Sequence, residues 1–224
     1  MNTLSKSLLA LGLAALMTAP ASAQQRRGPG GPGFGGRGLG VSMLLSNSGV
    51  QDELKLDDAQ KSKVQEVAAA ARSKFEAARS ETEGLQGQER MAKVRELTKG
   101  VDAESLKAVS EVLKPEQLAR LHGIHYQVAG ASAFQDEALQ KKLDLTSEQK
   151  SAVDEIITAS NSELRGLFQG GGGDREAMMS KMAEHRKATL AKVEAKLTAE
   201  QKAEYAKLLG APFELKFEGR GPGR

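Results

Sequence analysis

One five-residue pattern, a leucine followed four positions later by glutamine, occurs at four places: Leu56-Asp-Asp-Ala-Gln60, Leu113-Lys-Pro-Glu-Gln117, Leu145-Thr-Ser-Glu-Gln149 and Leu197-Thr-Ala-Glu-Gln201. In three of them an N-cap residue (Asp57, Thr146, Thr198) stands three positions before the glutamine. That is the spacing of a capping box: the cap oxygen accepts the amide hydrogen three residues on, and the glutamine reaches back to the cap amide. The remaining pattern has Lys114 in the cap place, but puts Pro115 at the favoured first helical position. Each cap is worth about 1 kcal/mol. Four such starts commit the chain to helices.

Apolar spacing between the starts supports this. Val64, Val67, Ala71, Phe75 and Ala78 draw one stripe along a helix, and 89 residues later Val153, Ile156, Ser160, Leu164 and Leu167 draw it again, widened by Ile157 and Phe168. Each long helix meets a glycine-containing turn, Gly84-Leu-Gln-Gly87 or Gly170-Gly-Gly-Gly173. A returning helix follows, carried by Met91, Val94, Val101, Leu106 and Val109 in one copy and by Met178, Met182, Leu190 and Val193 in the other. The closing patterns repeat at 84 residues, a difference that a change in turn length accommodates. Val50-Gln-Asp-Glu-Leu54 also matches Phe134-Gln-Asp-Glu-Ala138. The sequence therefore predicts an all-α fold of two tandem helical-hairpin units at 41–130 and 131–215, each a short helix, a long hairpin and a short closing helix. Two copies of so long a unit do not make a solenoid.

Residues 1–23 have the order of a cleaved signal peptide: Lys6, the apolar run 7–17, then small residues ending at Ala21 and Ala23. Cleavage near Ala23 and export are expected. Loss of this segment removes Lys6 and no acid, leaving 31 basic against 29 acidic residues. That balance argues against nucleic acid as the main partner, and no stable membrane insertion is expected. Residues 24–40 form a Gly/Pro/Arg-rich leader and 216–224 a tail of similar composition, both expected to be flexible. The chain has no cysteine, which excludes disulfides, thiol nucleophiles and thiolate metal sites. Catalytic signatures are missing too: there is no Gly-x-Ser-x-Gly turn, phosphate-cradling loop or His-Glu-x-x-His, so a non-enzymatic protein with no obligatory cofactor is expected.

With its four starts in a chain of this type, the sequence resembles the Leu-Thr-x-x-Gln family of periplasmic proteins, which includes Spy- and CpxP-type chaperones and zinc-resistance-associated relatives. The resemblance covers roughly 41–210 and is anchored at Leu145-Thr-Ser-Glu-Gln149 and Leu197-Thr-Ala-Glu-Gln201. It departs from the family in having four motifs where relatives carry two, with Asp57 and Lys114 in place of threonine. It implies a thin, cradle-like arrangement that relatives build as a dimer and this chain would build as an intramolecular pseudo-dimer, with further homodimerisation open. The function implied is ATP-independent capture of unfolded or misfolded exported proteins in the periplasm, in response to envelope stress.

Candidate client-binding residues are Phe75, Met91, Leu164, Phe168, Met178 and Met182, adaptable apolar side chains on the hairpins. Met178 and Met182 align with Val94 and Thr98, which also suits ordinary packing. His122 and His125 sit one helical turn apart and would share one metal ion, zinc before copper, if a third ligand converged. Gly123 between them is expected to end the helix. His185 aligns with Val101 and is expected to be packed. The alternatives are thus a metal sensor or buffer, and a regulatory module that docks on an envelope component.

Overall fold

In a computed structural model the described residues are 40–169 and 175–216, with the side chains of Arg79, Gln88, Met91, Arg175 and 167–169 set aside. The signal peptide, most of the leader, the Gly170–Gly173 turn and all of the tail beyond Lys216 lie outside the described residues. The chain is all-helical among them. Its elements are α1 (Val41–Leu45), α2 (Ser48–Glu53), α3 (Asp58–Glu81), α4 (Gly87–Ser110), α5 (Pro115–Ala129), a 3-10 segment (Gly130–Gln135), α6 (Glu137–Lys142), α7 (Ser147–Gln169), α8 (Arg175–Glu194) and α9 (Ala199–Leu209). No helix among the described residues is long and apolar enough to cross a membrane.

Helices α3 and α4 pack as one hairpin, and α7 and α8 as another. Between α3 and α4 the chain reverses over 82–86, and Gly87 opens α4 at φ +56°, a backbone angle that glycine adopts without strain. Short α1 lies against both α3 and α4, as the 3-10 segment lies against both α7 and α8. Each hairpin is thus preceded by two short elements, where the sequence suggested one.

The proposed match of Val50-Gln-Asp-Glu-Leu54 with Phe134-Gln-Asp-Glu-Ala138 is out of register. Gln51 donates its Nε2 to the Leu45 carbonyl at 2.7 Å, and Gln140 donates its own to the Phe134 carbonyl at 2.8 Å. Gln51 therefore corresponds to Gln140 and Leu45 to Phe134, at the same 89-residue spacing as the opening motifs. The local Gln-Asp-Glu identity does not coincide with the burial pattern, whose structural counterparts are Val50 with Leu139 and Leu54 with Leu143.

Two apolar clusters form at the hairpin bases. The first gathers Val41, Leu44, Leu45, Val50, Leu54, Leu56, Val64, Val109, Leu113, Leu121 and Ile124. In the second are Phe134, Leu139, Leu143, Leu145, Val153, Ile157, Val193, Leu197 and Tyr205, joined by Tyr126 from α5. All four motif leucines are buried in these clusters. The Phe134 and Tyr205 rings pack at a tilt of 50° with centroids 4.7 Å apart.

Helices α5 and α9 pack together and join the copies. Gly123 makes the approach close: a Cβ there would stand 2.6 Å from the Leu209 carbonyl oxygen and 2.8 Å from that of Leu208. The expected helix end at Gly123 is therefore wrong. Helix α5 continues to Ala129, and its glycine serves a helix crossing. Beyond α9, Arg120 and Gln127 of α5 donate to the Leu209 and Ala211 carbonyls, and Gln127 Oε1 accepts the Phe213 amide at 2.8 Å. Phe213 and Leu215 then pack on the first cluster, while Asn47 donates to the Lys216 carbonyl.

Candidate functional site

The four motifs meet in two pairs. Asp57 and Gln60 close a capping box, with the Gln60 amide on Asp57 Oδ1 at 2.8 Å and the Asp57 amide on Gln60 Oε1 at 3.2 Å. Thr146 with Gln149 and Thr198 with Gln201 do the same. At Lys114 only the returning half forms, its amide donating to Gln117 Oε1 at 2.9 Å, because an ammonium group has no lone pair to offer. In the two threonine motifs the glutamate's own amide, aided by the threonine hydroxyl, holds the Glu148 and Glu200 carboxyls below their ordinary range.

Each glutamine then does something that capping does not require. Gln60 Nε2 donates to Gln117 Oε1 at 2.8 Å and Gln117 Nε2 donates to Gln60 Oε1 at 3.1 Å. Gln149 and Gln201 repeat this at 2.7 and 3.0 Å. The second hydrogen on each nitrogen reaches a carbonyl: Gln60 to Val112, Gln117 to Leu54, Gln149 to Lys196 and Gln201 to Leu143. Every amide hydrogen and both acceptor positions of each oxygen are thereby used. The accepting carbonyls of Leu54 and Leu143 each precede a left-handed residue, Lys55 at φ 51° and Asp144 at φ 48°. The caps are legible in the local sequence but the pairing is not, since the partners lie 57 and 52 residues apart and nothing local encodes them.

The candidate client-binding residues are spread along the two hairpins. Phe75, Leu164 and Met178 are half-buried and Met182 is buried, while the side chains of Met91 and Phe168 lie outside the described residues. Among the described residues the large apolar side chains exposed outright are Met43 and Met179. Away from the bases, the side chains that the α3–α4 arm buries among the described residues are small, Ala71, Ala78, Thr82, Val101 and Ser105. In the α7–α8 arm the matching layer is polar. Ser160 Oγ lies 2.8 Å from both His185 Nε2 and Thr189 Oγ1, and His185 Nδ1 lies 3.7 Å from Glu163. His185 is packed as expected. A serine, histidine and glutamate in this order resemble a catalytic relay, but His185 Nε2 is also 3.1 Å from the Ser160 carbonyl, and Ser160 sits mid-helix where the backbone amides are engaged in the helix.

His122 and His125 both flank Tyr126, with ring centroids 6.0 and 5.9 Å away. Burial lowers the basicity of both rings, aided at His122 by Lys142 and opposed at each by Asp136. His125 Nδ1 and the Tyr126 hydroxyl are buried without a hydrogen-bond partner, and burial raises the Tyr126 hydroxyl to about 12. Among the described residues no three His, Asp or Glu side chains converge on a metal-sized site. Asp136, the carboxylate felt by both rings, already accepts the Ala138 and Leu139 amides as the cap of α6. No protein-family model, curated protein or solved structure matches this chain.

Proposed function

We propose that this chain is an exported, non-enzymatic periplasmic chaperone that captures unfolded polypeptides weakly and without ATP. In this reading the two hairpin units form a thin, cradle-like pseudo-dimer within one polypeptide, an arrangement that the fourfold motif and its family resemblance favour. The observation carrying the proposal is the thinness of the arms. Half-buried Phe75, Val94 and Leu97 on one, and Leu164 and Met178 on the other, stand among lysines and arginines. Such side chains can shift to meet a client without a large permanent apolar patch, and flanking cations speed encounter. Affinity is weak, so release needs no energy source.

The test is light scattering from a chemically denatured, aggregation-prone client diluted into buffer with the mature protein and no nucleotide. Suppression at one to a few equivalents is expected, and a Phe75→Ser, Leu164→Ser double variant should weaken it. Unchanged scattering at several-fold excess of the parent protein overturns the proposal.

A metal-sensing role receives less support, because no third ligand converges on His122 and His125 among the described residues. Calorimetry with zinc should show no micromolar binding that depends on both histidines. Heat that vanishes in the His122→Ala, His125→Ala variant would restore that reading.

A further inference from the structure

Helix α1 has three fully covered apolar side chains, Val41, Leu44 and Leu45, laid on the α3–α4 groove beside Val64 and Val109. Its N-cap, Gly40, offers no side chain to its free amides. The cap comes instead from α4. Asp102 accepts the Val41 and Ser42 amides, and its oxygens press so close that a Cβ on Gly40 would stand 2.4 and 2.7 Å from them. One of those oxygens, Oδ1, is buried with no hydrogen-bond partner among the described residues.

The second copy differs at this point. Arg186 occupies the place of Asp102 and donates to the Val128 carbonyl at 2.7 Å, ahead of the 3-10 segment that corresponds to α1. One cover is therefore held by a neutral-to-anionic group, the other by a permanent cation.

We infer that α1 is a pH-gated cover on the first hairpin, docked tightly when the Asp102 carboxyl is protonated and loosened when it is ionised. A carboxylate under α1 loses hydration and leaves Oδ1 unsatisfied, whereas with α1 lifted it is solvated. The charged form therefore favours the open state. Burial raises the Asp102 carboxyl from 3.8 to about 6, against the opposing pull of the two amides. Among the described residues no neighbouring charge competes for this role: α1 carries no titratable side chain, Lys99 one turn earlier on α4 is exposed, and Lys74 of α3 pairs with Glu104. Opening uncovers Val64, Val109 and the apolar groove between them.

Hydrogen exchange on the full chain tests this. The Leu44 and Ser46 amides, which donate to the Gly40 and Ser42 carbonyls, report the docked helix. Corrected for intrinsic rates, their protection should fall about tenfold between pH 5 and pH 7.5, as linkage to a group shifted this far requires. Amides of the 3-10 segment should stay level, and Asp102→Asn should make Leu44 and Ser46 level too. Protection at these two amides that is flat in the parent protein, that falls equally in the 3-10 segment, or that keeps its pH dependence in Asp102→Asn overturns the inference. Carbon-13 titration of the Asp102 carboxyl in the intact protein gives an independent readout should the variant fail to fold. A midpoint near 6 is expected, and one near 4 overturns it.

Discussion

At the scale of single residues, the motif glutamine has two tasks, and they differ in how visible they are beforehand. Capping is local, so three-residue spacing reveals it. Pairing across more than fifty residues leaves no local trace. Replacing Gln117 by alanine strips a partner from Gln60 and from the Leu54 carbonyl in a site where both glutamines are 8% exposed. A loss of about 3 kcal/mol in urea unfolding is expected, since each buried polar group left unsatisfied costs roughly 1–3 kcal/mol. The same change at Gln201, where water reaches both partners, should cost about 1 kcal/mol. Lys55, a left-handed residue with no capping role for its side chain, points the other way. Lys55→Gly should stabilise by up to about 1 kcal/mol, the strain of that conformation less glycine's added freedom when unfolded.

Among the elements, the hairpin helices were the most legible. Of their stripes, Val64, Ala71, Ala78 and Val153 are buried, with Ile157 beside the second, while Val67, Phe75, Ile156, Ser160 and Leu164 are half-buried. Glycines were less so, because composition does not distinguish a glycine in open space from one in a crossing. Gly100 in α4 has nothing near the place of a Cβ, so Gly100→Ala should stabilise by about 1 kcal/mol through helix propensity alone. Gly123→Ala should destabilise by about 1–3 kcal/mol as α9 is pushed away. Thermal melts of the two variants should therefore move in opposite directions. His185 was legible as a packed residue, but Ser160 and Thr189 as its companions were not, since the stripe treats all three only as interruptions of an apolar face.

For the molecule as a whole, two sets of buried groups pull stability in opposite directions between about pH 6.5 and 4. His122 and His125 have folded values below their ordinary 6.5, so the unfolded chain takes up protons first. Their contribution is present above about pH 6.5 and is lost as pH falls. Asp102 runs in reverse: its folded value of about 6 exceeds the unfolded 3.8, so stability is gained as pH falls through that window. The parent protein should lose stability only gently between pH 6.5 and 4. Removing the compensating group in Asp102→Asn should steepen the loss, a difference that urea midpoints at pH 7, 5.5 and 4 will reveal.

The mutual pairing of motif glutamines also bears on how the chain finds its fold. All four amides present the same self-complementary face, so Gln60 could bond Gln201 as well as Gln117. Chain connectivity favours the nearer partner only weakly, as each doubling of a closed loop costs about 0.6 kcal/mol. Discrimination falls to the cores, where the first closing helix brings Leu121 to a site framed by Leu45, and the second brings Tyr205 to a site framed by Phe134. Exchanging this small and large pair by Leu121→Tyr with Tyr205→Leu would leave the hydrogen bonds intact and reverse the steric key. Mispaired hairpins and domain-swapped dimers on refolding are the expected result, visible by size-exclusion chromatography.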